Sequence, residues 1–321
     1  MRVAVVIPSY RVTHQILGVL KLIGPEVERV YVVDDACPER TGDWVETHCT
    51  DHRVRVLRHA HNLGVGGAVM TGYRSALAEN MDVVVKVDGD GQMDPRLIPR
   101  YLAPIKRGQA DYTKGNRFYD LEHIRRMPVH RIIGNAMLSI MSKLSTGYWQ
   151  LFDTTNGFTA LHTKLIPSLG LQKVSQRYFF ETDLLFRLNI LRAVVVDIPM
   201  HAQYGTEQSH LVARKVWPEF LFKHLRNFLK RIFYSYFLRD MTVASLLLMA
   251  GTLLLGFGTA FGAYHWISGI ASGLPTPVGT IMLAALPTLI GIQMLLAFLS
   301  FDVANVPNRP LHLDLPDPAV E

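Results

Sequence analysis

"VVVKVDGDGQMDP", residues 83–95, decides how the rest of the chain is read. An apolar run of the kind a buried strand displays stops at two carboxylates, Asp88 and Asp90, with Gln92 and Asp94 close behind. Buried charge is costly unless it is paired or bound to a cation. Side chains alternate along a strand with period two, so Asp88 and Asp90 can face the same way. The glycines at 89 and 91 remove bulk and let the backbone turn around a ligand. Hard cations such as Mg²⁺ take oxygen ligands and keep substrate phosphates in their shell. Asp88, Asp90 and the amide oxygen of Gln92 therefore form a candidate Mg²⁺ or Mn²⁺ site with room for a diphosphate. An ordinary Asp-Gly turn is the plain alternative.

Working outward, similar apolar runs occur at "RVAVVIP" (2–8), "RVYVVDD" (29–35) and "RVRVLRH" (53–59), with "MDVVVKVD" (81–88) as the fourth. Helical patterns separate them, and "AVVVDIPM" (193–200) reads as a closing strand. Short apolar strands alternating with helices predict an α/β fold whose sheet is mostly parallel and covered on both faces. Ligands in such sheets bind beyond the carboxyl ends of the strands. Pro8 to Tyr10, Asp34 and Asp35, Asn62 to Gly67, and Asp88 to Gln92 all fall there. One of the aspartates in "VVDDA" could accept from a nucleobase or ribose, or could cap a helix. "NLGVGGA" (62–68) sets glycines ahead of a helix, where phosphate is well received, although the spacing is not the dinucleotide fingerprint.

Beyond residue 120 the pattern is less regular. "RRMPVHRIIGNAMLSIMSKLSTG" (125–147) is amphipathic and basic at its start, "FDTTNGFTAL" (152–161) reads as a polar turn, and "RYFFETDLLFRLNILR" (177–192) has helical spacing. His59, His61 and His130 lack metal-ligand spacing and read as surface residues.

The C-terminal third differs in kind. Residues 241–267 and 278–301 contain no Asp, Glu, Lys or Arg. Each run exceeds the roughly 20 residues that a helix needs to cross a bilayer core. The uncharged link "SGIASGLPTP" makes the pair a hairpin. Just before it, Arg214, Lys215, Lys223, Arg226, Lys230, Arg231 and Arg239 face only Glu219. Positive charge stays on the cytoplasmic side, so the N-terminal domain and the tail are expected to be cytoplasmic, in an inner or plasma membrane. Interleaved Trp217, Phe220, Phe222, Phe228 and Phe233 suggest a connector lying on the membrane surface. The expected organisation is a domain at 1–200, the connector at 201–240, two transmembrane helices at 241–304, and a tail at 305–321. The formal net charge of +6 gathers beside the apolar segments, which favours anionic lipid headgroups over nucleic acid. "MRVAVVIPSY" is interrupted by Pro8 and does not read as a signal peptide. Cys37 and Cys49, the only two cysteines, have no metal-ligand companions and are expected to stay reduced.

Taken together and in order, "VVIPSY", "VVDDA", "NLGVGGA", "DGDGQMDP", "KGNRF" and "DTTNGF" resemble a family 2 glycosyltransferase of the GT-A fold. The apolar pair makes the chain similar to the dolichol-phosphate mannose synthase group and its bacterial polyprenyl-phosphate relatives. The resemblance implies a GT-A domain followed by a transmembrane hairpin. It also implies an inverting transfer of one sugar from a nucleotide-diphosphate donor to a polyprenyl phosphate, and it admits a homo-oligomer. It places Pro8, Tyr10 and Asp35 in the nucleotide pocket with Gly64 and Gly67. Asp88 falls at the nucleotide and the metal, with Asp90 and Gln92 on the metal. Arg117 and Arg131 match arginines that face donor and acceptor phosphates, although Arg131 also reads as a basic residue on a surface helix. Asp153 and Asn156, in "DTTNGF", fall on the substrate side. Ser209, Arg214 and Lys215 follow in the segment that closes over the donor. Glu181 and Asp183 sit near the position of a catalytic base. They could instead orient the acceptor or simply start a helix, where acidic residues are favoured.

The chain departs from the family pattern at Arg11 and Val12, where Asn and Glu are usual, so a carboxylate contact to the base is missing. A Gln-x-x-Arg-Trp element is absent after residue 190, which implies a single transfer rather than processive synthesis. Another lipid acceptor, or a non-catalytic nucleotide-sugar-binding membrane scaffold, are the rival readings.

Overall fold

The computed structural model describes residues 1–119, 129–200 and 213–316, without the side chains of 129–131, 133 and 213–216. The chain divides into two compact units, Met1–Phe228 with Pro307–Glu321, and Leu229–Val306.

The first unit is built on a seven-stranded sheet of order β3-β2-β1-β4-β6-β5-β7. Its strands are β1 (Val3–Ser9), β2 (Arg29–Asp34), β3 (Val54–Arg58), β4 (Val83–Lys86), β5 (Tyr112–Asn116), β6 (Thr159–His162) and β7 (Val195–Pro199). The first four pair in parallel, and β6 runs antiparallel between β4 and β5. The helices are α1 (Ile16–Lys21), α2 (Thr41–His48), α3 (Val65–Ala78), α4 (Ile98–Lys106), α5 (Val129–Thr146) and α6 (Phe180–Ile190). The next helix, α7 (Ala213–Phe233), runs past the boundary of the unit. Helices cover both faces of the sheet; β1 is buried at every residue but Pro8, and β4 throughout, so neither needs polar alternation. Val3, Val5, Val83 and Val85 join Ile16, Tyr101 and Phe158 in one buried cluster. Packing of α3 on the sheet is close: a Cβ on Gly72 would sit 2.3 Å from Val6.

Two strands differ from the sequence expectation. β6 occupies the end of "FDTTNGFTAL", which had read as a turn, and β5 carries Thr113, Lys114 and Asn116 inward. Neither strand has an apolar run, because each buries polar side chains rather than valines.

The chain after the second apolar helix is not a separate tail. Asp111, fully buried after α4, accepts hydrogen bonds from Val194 N (2.8 Å), Leu311 N (2.9 Å) and His312 N (2.8 Å). His312 stacks on His162 with ring centroids 4.3 Å apart, and Lys164 Nζ donates to the carbonyl of Leu315. The segment thus completes the first unit.

In the second unit, α8 (Val243–Ser272) and α9 (Val278–Ala304) form the hairpin, preceded by a π-helical turn at Tyr234–Arg239. Both helices are long and apolar enough to cross a membrane, and only 22% and 11% of their most apolar windows are buried. A core helix of a water-soluble domain would be mostly buried. Small residues let the two helices approach: a Cβ on Gly258 would meet Thr288 Oγ1 at 2.4 Å, and one on Gly291 would meet Leu255 N at 2.6 Å. Near the base, Asp302 is clamped by Arg231 (2.6 and 3.0 Å) and by Tyr236 Oη (2.6 Å).

The stretch expected as a surface connector is helical over Ala213–Phe233. Helix α7 buries His224, Asn227 and Arg231 and exposes Leu221, Phe222, Leu225, Leu229 and Phe233. Its polar stripe is inward and its apolar stripe outward, the inverse of a helix covering a water-soluble core. Phe220 does not join the outward stripe but packs edge-on against Phe179.

Candidate active site

The parallel strands β1, β2 and β4 release their chains at one edge of the sheet, with Ser9 beside Asp34 and Val6 beside Lys86. The cleft at that edge is lined by Pro8, Ser9, Tyr10 and Val12 after β1, by Asp35 after β2, and by Asn62, Gly64, Val65 and Ala68 entering α3. Asp88, Gly89 and Asp90 line it after β4, and Arg177 and Tyr178 close it ahead of α6. Pro8, Tyr10, Asp35, Gly64, Asp88 and Asp90 therefore come together from segments far apart in the chain.

Several side chains serve the frame of the cleft rather than its space. Asp34 accepts from Cys37 N (2.7 Å) and Gly42 N (2.6 Å), which pins the loop into α2. Asp35 Oδ1 lies 2.7 Å from His59 Nδ1 and accepts from Leu63 N at 2.8 Å, while its Oδ2 accepts from Gly64 N at 2.7 Å. A carboxylate has about four lone-pair sites, so one remains for a ligand. His59 is not the surface residue expected, because its other nitrogen is 2.9 Å from Thr71 Oγ1 and the ring is buried between the two. The helix N-terminus at α3 is also not open to phosphate. Gly66 N and Gly67 N both donate to the carbonyl of Gln176 (2.8 and 3.3 Å), and Gly67 stands outside the cleft lining. Gly64 has φ +85°, and a Cβ there would lie 2.6 Å from the Gln176 oxygen, so the loop requires glycine.

Behind the cleft floor, Lys86 is almost wholly buried, 2.8 Å from Asp88 Oδ1 and 3.3 Å from Glu181 Oε1. Burial opposes its charge most strongly, but Asp88 and Glu181 together outweigh it and hold its pKa above the usual lysine value. Asp90 Oδ1 accepts from Gln92 N (3.0 Å), a tight local turn, and Gln92 does not line the cleft.

Arg117 and Asp153 form a two-pronged pair, Nε to Oδ2 at 2.7 Å and Nη2 to Oδ1 at 2.9 Å. Asp153 is buried and also accepts from Asn156 Nδ2 (3.2 Å), so both "DTTNGF" candidates act beneath the surface. Burial raises the pKa of Asp153, but the Arg117 guanidinium outweighs this and holds it below the usual carboxylate range. Beside them Lys114 is pushed down to about 8 by burial, and Asp197 up to about 6 by burial against the hydrogen bond from Asn116.

Asp183 is buried too. Its Oδ2 accepts from Ser175 N (2.9 Å) and its Oδ1 from Asn227 Nδ2 (3.0 Å), with Arg187 alongside. Glu181 points to Lys86. Ser209 lies outside the described residues, as do the side chains of Arg131, Arg214, Lys215 and His130. Arg177 and Tyr178 are lining residues that sequence reasoning missed. An arginine and a tyrosine just ahead of a helix start were the available signal.

Among the described residues no group of three or more His, Cys, Asp or Glu could hold a metal ion. The oxygen donors of Asp88 and Asp90 nonetheless fit Mg²⁺ or Mn²⁺, which commonly bind through one or two carboxylates plus substrate phosphates.

Fold and cleft define an α/β protein with a carboxylate-lined ligand site at its strand ends. Residues 4–170 match the family model described as glycosyl transferase family 2. The chain belongs to that family and is a glycosyltransferase of GT-A-like fold. It is 33% identical over 205 residues to the undecaprenyl-phosphate mannosyltransferase of Micrococcus luteus, covering 62% of this chain and 83% of that protein. It is 26% identical over 218 residues to the UDP-N-acetylglucosamine–dolichyl-phosphate N-acetylglucosaminyltransferase of Methanococcus voltae, covering 64% and 86%. Among solved structures, the glucosyl-3-phosphoglycerate synthase of Mycobacterium tuberculosis with Mn²⁺, UDP-glucose and phosphoglyceric acid aligns with TM-score 0.53 and 17% identity. That alignment covers 72% of this chain and 79% of the other, and it bears on the fold alone.

Proposed function

We propose that this glycosyltransferase moves one sugar from a nucleotide-diphosphate donor to a polyprenyl phosphate at the cytoplasmic face of a membrane. The observation that carries the reading is the state of the two carboxylates on α6. Asp183 is buried with both oxygens engaged, and Glu181 is paired with Lys86. Neither lines the cleft, and general-base catalysis needs reach to the acceptor hydroxyl. A phosphate acceptor arrives already ionised and needs no base. Relatives named for undecaprenyl and dolichyl phosphate support the same acceptor class.

In this mechanism the donor base and ribose occupy the cleft between Tyr10, Asp35 and Asn62, and the diphosphate lies towards Asp88 and Asp90. Asp88 and Asp90, with Gln92 close by, would hold a divalent Mg²⁺ or Mn²⁺, which would neutralise charge developing on the leaving diphosphate. The exposed guanidinium of Arg177 meets the donor from the opposite wall. The acceptor phosphate oxygen attacks the anomeric carbon from the face away from the departing nucleotide, which inverts that centre. The outward apolar stripe of α7, set beside basic Arg226 and Lys230, suits a membrane surface, and the hairpin anchors the enzyme there.

The test is transfer of label from a panel of radiolabelled nucleotide sugars to undecaprenyl phosphate, using detergent-purified protein with Mg²⁺ or Mn²⁺. Label reaching the organic phase with one donor, and lost in Asp90→Asn, supports the reading. Nucleotide binding without transfer to any polyprenyl phosphate overturns the acceptor.

A further inference from the structure

We infer that Lys86 is a positioning residue. Through one ammonium group it sets the Asp88 carboxylate at the cleft floor and ties it to Glu181 on α6. This rests on the donor site proposed above.

The sequence around it makes the case. Val83, Val84, Val85 and Val87 are all fully buried and apolar, and Lys86 alone breaks the run. A buried ion pair is often no more stabilising than apolar residues of similar volume, so its presence is weak evidence of a stability role. The pair is instead a geometric device. Lys86 Nζ reaches Asp88 Oδ1 at 2.8 Å from within the same strand end, and Glu181 Oε1 at 3.3 Å from a helix 95 residues later. Space for it is provided from β6's side by Gly157, where a Cβ would stand 2.3 Å from Lys86 Nζ and 2.6 Å from Asp88 Oδ2. Asp88 is thus held by a cation on one oxygen, with an absent side chain beside the other. A carboxylate at the end of a strand otherwise has free rotamers; an ion pair on one oxygen, with the other seated against Gly157, fixes how the group is turned in the cleft lining.

The experiment is isothermal titration of the full-length protein in detergent with UDP and with GDP, each with and without MnCl₂. Lys86→Met, Gly157→Ala, Asp88→Asn and the two pairings with Asp88→Asn are compared. Gly157→Ala keeps every charge and displaces the pair sterically, so it carries the test if Lys86→Met fails to fold. The Mn²⁺-dependent part of nucleotide affinity is expected to fall about 10- to 100-fold in Lys86→Met and in Gly157→Ala. The metal-independent part is expected to hold, and neither double variant should be weaker than Asp88→Asn alone. Equal loss with and without Mn²⁺, or additive losses in the doubles, would reduce Lys86 to a packing role and overturn the inference. No nucleotide binding by the native protein would instead overturn the donor site itself.

Discussion

The imidazole of His312 lies 2.7 Å from the Asp111 carboxylate, joining positions 201 residues apart in the sequence. Three backbone amides donate to the same carboxylate. Replacing Asp111 by Ala leaves those buried donors without an acceptor, at about 1–3 kcal/mol for each unsatisfied group. Chemical denaturation should show a loss of several kcal/mol, with residues 307–316 released to protease before the sheet unfolds.

Acid should loosen the sheet domain from a second direction. His162 has its pKa pushed down to about 4, by burial first and by His312 and Lys164 after it, and burial pushes His224 down to about 4. Each holds fewer protons folded than unfolded, so stability falls as pH drops from about 6.5 towards 4. Melting temperature measured across that window should decline, and His162→Phe should flatten part of the decline.

Arg117 and Asp153 give a warning about reading activity data. Arg117→Ala leaves Asp153 charged and buried, which costs about 3–5 kcal/mol. A loss of transfer in that variant should therefore come with a lower melting temperature. An Arg117→Ala/Asp153→Ala double variant should recover part of the stability.

Glu181→Gln should cost less than the roughly 100-fold expected for loss of a general base. Initial rates at saturating donor and acceptor decide it. A larger loss would favour an acceptor hydroxyl.

In the hairpin, Gly291→Leu places a side chain against the backbone of Leu255, which cannot yield as a flexible side chain would. The variant should separate the helices and lower the melting temperature in detergent, whereas Gly279→Leu, with open space around its Cβ position, should not.

The parallel half of the sheet was legible because its strands are apolar runs ending in polar residues, and the cleft forms where those runs end. β5 and β6 were not, since Lys114, Asn116 and Thr159 hide two buried strands behind polar letters. For the site, residue type pointed to the right loops but not to what each side chain touches. Asp35, Asp153 and Asp183 look alike in sequence. One keeps a lone pair in the cleft, another neutralises Arg117, and the third fastens α6 to the chain at Asn227. Those differences depend on partners 24 to 44 residues away, which no local pattern carries.

The return of Leu311 and His312 to Asp111 also sets an order of assembly. A ribosome finishes both hairpin helices before it makes the residues that complete the sheet domain. The domain's last contacts close only after the apolar hairpin has been synthesised, so maturation of the active fold waits on the fate of the hairpin.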